Sequence, residues 1–142
     1  MRKRPSRRKR TGSKSVFVIF ANVYGRSAAL KKPGAEYLRK PSFTFFSETM
    51  LLAKSHTTCF GDKLNFVVHA FKELPGRGRP SSGMEWYVNP RLNPKELFSS
   101  ECVLAVGCNG HAMVGCYFRP SLDMDDKIEH LDQALREIPQ NF

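Results

Sequence analysis

The sequence predicts a layered α/β domain of the α+β kind, and three observations predict it. The first half opens strand–helix–strand, the middle is a run of short apolar segments separated by turns, and the end is an amphipathic helix. At 142 residues, 41% hydrophobic and 25% charged, the chain has room for one folded domain or part of a larger one.

Residues 1–14 stand apart from the body. Eight of the 23 basic residues lie there (Arg2, Lys3, Arg4, Arg7, Arg8, Lys9, Arg10, Lys14) with no acid, so most of the net charge of +10 belongs to this segment. Such a stretch has nothing to bury and is expected to be a basic, disordered tail, with the folded body in 15–142. It can attract phosphates, serve as a nuclear address, or simply be solvated. A mitochondrial presequence fits less well, because Pro5 and Gly12 interrupt any amphipathic helix. No apolar run reaches the roughly 18 residues of a membrane span, and Val16 to Ala21 is too short for the core of a signal peptide. No membrane partner is expected, and the localisation predicted is nuclear or cytoplasmic.

The first element is Ser15 to Asn22, a continuous apolar run that reads as a central strand covered on both faces. Ser27 to Arg39 has helical character, but Pro33-Gly34 breaks it into two short turns. Ser42 to Glu48 is aromatic-rich and strand-like, and Asn65 to Phe71 gives a third strand. A glycine-rich loop, Gly76 to Gly83, carries Arg77 and Arg79, and Met84 to Val88 resumes as a strand. Asn89 to Ser99, with Pro90 and Pro94, reads as a connector. Cys102 to Gly107 and His111 to Phe118 form a hairpin around Asn109-Gly110, whose two residues tolerate positive φ.

Asp123 to Ile138 is the helix. Met124, Ile128, Leu131, Leu135 and Ile138 recur on one face, Asp123 is the N-cap, and Asp125 and Asp126 complement the helix dipole. Cys59, Cys102, Cys108 and Cys116 contain no C-x-x-C pair, and His56, His69, His111 and His130 show no metal-site spacing. The cysteines read as reduced, mostly buried structural residues of an intracellular protein. Trp86 and the eleven phenylalanines read as core.

Chemistry is expected at the strand ends. Asn22 closes the first strand and Glu48 the second, so adjacent strands would bring an amide and a carboxylate to one sheet edge. A carboxylate there can hold Mg²⁺ with water and phosphate, and an amide can orient a phosphate oxygen. Ordinary polar capping of strand ends is the alternative.

Five segments then carry a resemblance. Asn22-Val-Tyr-Gly-Arg-Ser-Ala-Ala-Leu-Lys-Lys is followed by Ala35-Glu-Tyr-Leu-Arg and Phe46-Ser-Glu-Thr-Met-Leu51. Gly78-Arg-Pro-Ser-Ser-Gly-Met-Glu-Trp-Tyr-Val88 and Met113-Val-Gly-Cys-Tyr-Phe-Arg-Pro-Ser121 come next. In order and interval these resemble the N-terminal part of the endonuclease/exonuclease/phosphatase superfamily, LINE-type retrotransposon branch. The resemblance implies a partial four-layered α/β-sandwich, the N-terminal sheet half with its flanking helices. It implies a Mg²⁺-dependent phosphodiesterase ancestry with DNA as partner. It assigns Glu48 to the metal, and Asn22 and Tyr117 to the phosphate end of the catalytic site. Arg26, Arg77 and Arg79 become the residues expected to meet nucleic acid.

The departures are specific. Ser42-Phe43 stands where the family has Asp-Ile, and Tyr24 where the retrotransposon branch has Asn. The later family motifs, Gly-Asp-x-Asn and Ser-Asp-His, have no counterpart in these residues. They supply the groups that activate water and hold the scissile phosphate, and Asp123, Asp125 and Asp126 on the helix cannot replace them. The expectation is a truncated domain without appreciable nuclease activity, its unfinished sheet exposing an apolar face and an unpaired edge open to self-association. The competing expectation is a small basic nucleic-acid-binding protein that acts through its tail.

Overall fold

In a computed structural model the chain is an α+β protein of two stacked sheets. The structure describes residues 16–72 and 78–142; the basic tail, Gly76 and Arg77 lie outside the described residues.

The first sheet has the order β1 (Val18–Asn22), β2 (Phe43–Ser47), β4 (Met84–Val88) and β3 (Leu64–Val68). β1 and β2 are parallel, with Val18 opposite Phe43 and Asn22 opposite Ser47. The crossover between them holds α1 (Arg26–Ala29) and a 3₁₀ turn, Ala35–Arg39. Gly34 separates these two turns at φ 86, a value that suits glycine at the expected break. β2, β4 and β3 pair antiparallel, with Phe45 opposite Trp86 and Trp86 opposite Phe66.

The second sheet is antiparallel: β5 (Lys95–Ser99), β6 (Val103–Cys108) and β7 (His111–Cys116). Asn109 (φ 49) and Gly110 (φ 79) make the turn of the expected hairpin. α2 (Met124–Glu137) packs on its outer side, and the Asp123 carboxylate accepts from the Asp126 amide as the expected N-cap.

Alternation along the strands builds three cores. Phe43, Phe45, Met84, Trp86 and Val88 face Leu104 and Val106 between the sheets. The Trp86 indole donates to the Leu104 carbonyl across that gap at 2.8 Å. Phe46 and Tyr87, on the other face of the first sheet, pack with Phe60, Leu30 and Leu38. Cys102 and Val103 pack with Ala134 of α2. The order is therefore turns and short helix, sheet, sheet, helix. Gly115 lets the sheets approach: a Cβ there would stand 2.2 Å from the Phe45 ring.

Three expectations need correction. Among the described residues the first strand is an edge, not a central strand, because it has β2 on one side only; Phe20 is 58% exposed and Phe17 61%. The stretch read as a connector holds β5, whose polar composition and bulge between Glu96 and Phe98 mask its pairing with β6. The apolar stripe of the final helix is not its packed face. Ala134 is buried with Leu131, His130 and Ile138 partly covered, whereas Met124, Ile128 and Leu135 are exposed. The four-residue rhythm located the helix but not its rotation about its own axis, which neighbouring strands decide. Among the described residues no helix is long and apolar enough to cross a membrane.

Candidate active site

Glu48 sits at the end of β2, in a turn that the neighbouring loops hold open. Its φ is 54 and that of Met50 is 57, both in the left-handed region that costs a residue with a side chain on the order of 1–3 kcal/mol. Backbone hydrogen bonds maintain the conformation. Gly25 and Arg26 donate to the carbonyls of Glu48 (2.8 Å) and Thr49 (3.1 Å), while Thr49 and Met50 donate to Gly83 (3.1 Å) and Ser82 (3.0 Å). Gly83 has φ +90, and a Cβ on it would meet Thr49 Oγ1 at 2.2 Å. The loops before α1 and before β4 thus clamp, from both sides, the backbone that carries the carboxylate.

Tyr117 follows β7, and its backbone amide donates to the Cys102 carbonyl at 2.9 Å. That bond directs its side chain into the inter-sheet core, and its hydroxyl donates to Glu48 Oε1. Burial, then the bond to Glu48 and the charge on Glu48, raise the phenol from 10.0 to about 12. The two residues line a cleft of about 440 Å³ together with Tyr24, Arg79, Arg119 and Ser81. The Arg79 guanidinium lies 4.7 Å from the Tyr24 ring centroid, and Arg119 lies 5.3 Å from that of Phe71. The cleft therefore places one carboxylate, two phenols and two arginines around an opening of ligand size.

The packing of one sheet on the other brings together two of the three residues expected to form the catalytic and metal site. Glu48 and Tyr117 meet; Asn22 does not line the cleft. Its Oδ1 accepts from the Tyr24 amide at 3.2 Å, the local turn that an asparagine side chain readily makes, and so shapes the loop carrying Tyr24. Of the three arginines expected at nucleic acid, Arg79 lines the cleft and Arg77 lies outside the described residues. Arg26 requires a correction: it is 4% exposed and points into the protein.

Arg26 is held inside by charge. Its Nη1 donates to both oxygens of Glu85 (3.0 and 3.1 Å) and to the Tyr87 hydroxyl (2.9 Å), and Nη2 donates to the Thr57 carbonyl. His56 Nε2 lies 2.9 Å from Glu85 Oε2, so the fully buried carboxylate is gripped from two sides. Desolvation lowers the Arg26 pKa, but the Glu85 charge and hydrogen bonds outweigh it and the net direction is upward. Since the Arg26 amide also holds the Glu48 turn, this ion pair ties the cleft loop to β4.

Sequence reasoning missed Tyr24 and Arg119 as cleft residues. Arg119 stood in the same segment as Tyr117, and its position just past that strand end was the available signal. No protein-family model matches the chain, and no curated protein matches its sequence.

A single carboxylate fits Mg²⁺ in the way this ion is often held, with one or two carboxylates, several waters and the phosphate of a ligand. A carboxylate offers about four acceptor positions, so the bond from Tyr117 leaves Glu48 able to reach a cation. The donor set fits a weakly held ion shared with a phosphate and does not fit a closed protein cage.

Proposed function

We propose that the Glu48–Tyr117 cleft binds a nucleic-acid phosphate together with Mg²⁺, as a domain of the endonuclease/exonuclease/phosphatase type. The observation that carries this reading is the meeting of Glu48 and Tyr117, distant in sequence, inside a cleft flanked by Arg79 and Arg119. The strained backbone at Glu48 supports it, since such conformations concentrate where a side chain must be aimed. In this reading Glu48 orients the cation, Tyr117 fixes the carboxylate by donating its one hydroxyl proton to it, and the arginines donate to and neutralise the phosphate. Mg²⁺ supplies charge stabilisation for a phosphodiester oxygen. None of the cleft's side chains in this reading is an activated base for water, so the chain binds without cleaving at an appreciable rate.

The test is anisotropy of a labelled DNA duplex at fixed ionic strength, with and without Mg²⁺. Glu48→Gln should remove the Mg²⁺-dependent part of the affinity, and Arg79→Ala should weaken the remainder. An affinity indifferent to Mg²⁺ and to Glu48→Gln overturns the cleft reading. It leaves binding through the basic tail, which deletion of residues 1–14 would abolish. Plasmid nicking with Mg²⁺ that disappears in Glu48→Ala would overturn the statement that the chain does not cleave.

A further inference from the structure

We propose that Glu101, Cys102 and His130 form a second, separate metal site, suited to a divalent transition ion of the Zn²⁺ class. One ligand atom from each, an oxygen, a sulfur and a ring nitrogen, all lie within 4.8 Å of one another. They come from two distant parts of the chain: the turn before β6 supplies Glu101 and Cys102, and α2 supplies His130. The sequence offered no sign of this, because ligand spacing is legible only when neighbouring ligands share an element.

Both supports are fixed. Ser100 Oγ accepts from the amides of Cys102 (3.3 Å) and Val103 (3.1 Å), and the Ser100 amide donates to the Val103 carbonyl at 2.8 Å. α2 is anchored beside it by Ala134, buried against Cys102 and Val103. The donors are thus presented by packed backbone and need no folding step to converge. With bonds of about 2.0–2.3 Å, tetrahedral ligand atoms stand roughly 3.5 Å apart, so movements of about 1 Å complete the set.

The donor chemistry selects the ion. A thiolate and an imidazole disfavour Mg²⁺ and favour Zn²⁺ or Co²⁺, and one carboxylate is compatible with either. Cys102 is 6% exposed and Glu101 is exposed, so the site has a buried sulfur floor and an open, solvent-facing fourth position. The site lies on the helix side of the second sheet, whereas Tyr117 packs with the inter-sheet core, so it is distinct from the Glu48 cleft. Its consequence is a staple joining α2 to the sheet.

The experiment is titration of the full chain with Co²⁺ and then Zn²⁺, in a Cys116→Ser background that removes the exposed thiol as an independent binder. Expected are a near-ultraviolet thiolate-to-cobalt absorption and tetrahedral visible bands saturating at one equivalent, displaced by one equivalent of Zn²⁺. Glu101→Gln and His130→Ala each weaken binding at least about tenfold, the least that even loss of an outer-shell partner costs. Cys102→Ala abolishes the near-ultraviolet band, but its burial makes the other two variants decisive. Absence of the band, or a loss below tenfold in either Glu101→Gln or His130→Ala, overturns the proposal.

Discussion

The Tyr117 hydroxyl donates to the Glu48 carboxylate across the gap between the two sheets, joining the end of β2 to the residue that follows β7. A phenol in this position gives up its proton reluctantly, because burial disfavours the phenolate, which would also lose the bond to Glu48 and face its negative charge. In spectrophotometric titration, the difference between wild type and Tyr117→Phe should show one phenol with a midpoint near 12. Glu48→Gln should move that midpoint downward, since it removes the charge while preserving an acceptor. A midpoint indifferent to Glu48→Gln would separate the two side chains.

The same shift makes a statement about stability. Below pH 10 the phenol is protonated in both the folded and unfolded chain, and the contribution is complete. Between about 10 and about 12 the unfolded state loses the proton first, so stability falls as pH rises through that window. Urea midpoints should decline more steeply there for wild type than for Tyr117→Phe.

The Arg26–Glu85 pair should be costly to break from one side. Both side chains are almost fully buried, and removing one leaves an uncompensated interior charge, worth about 3–5 kcal/mol. Glu85→Ala should lower the urea-derived stability by that order. Arg26→Met combined with Glu85→Leu should lose much less than the sum of the single changes. Additive losses would show that the two residues do not act as a pair.

Gly83→Ala should destabilise the protein and disturb the Glu48 turn. The position has φ +90, and its Cβ would clash with Thr49, the residue that Gly83 receives a hydrogen bond from. A loss of more than about 1 kcal/mol in urea unfolding is expected, with a parallel loss of the Mg²⁺-dependent DNA affinity. Unchanged stability would mean that the turn relaxes freely.

Phe17 and Phe20 stand exposed at the β1 edge, where a second copy can add a strand. Sedimentation velocity should show association that increases with concentration, and Phe17→Lys with Phe20→Lys should return the chain to monomer. A wild type that remains monomeric at high concentration would dispose of this contact.

Much of the architecture is written in local pattern. The apolar runs around Phe20, Phe45, Trp86 and Val106 locate four strands, Asn109-Gly110 marks its hairpin, and Asp123 starts the helix, each through interactions between near neighbours. Glu48 could be singled out at a strand end because polarity follows directly on an apolar run, whereas only the family resemblance pointed to Tyr117. Tertiary structure alone decided the rest. It set β1 at an edge, turned α2 so that Ala134 and not Met124 is buried, and drew Arg26 inward to Glu85. It also gathered Glu101, Cys102 and His130. Hydrophobic rhythm and turn chemistry act over a few residues and so survive in the sequence. Strand order, helix rotation and the pairing of distant charges depend on which surfaces meet, and no local pattern contains that information.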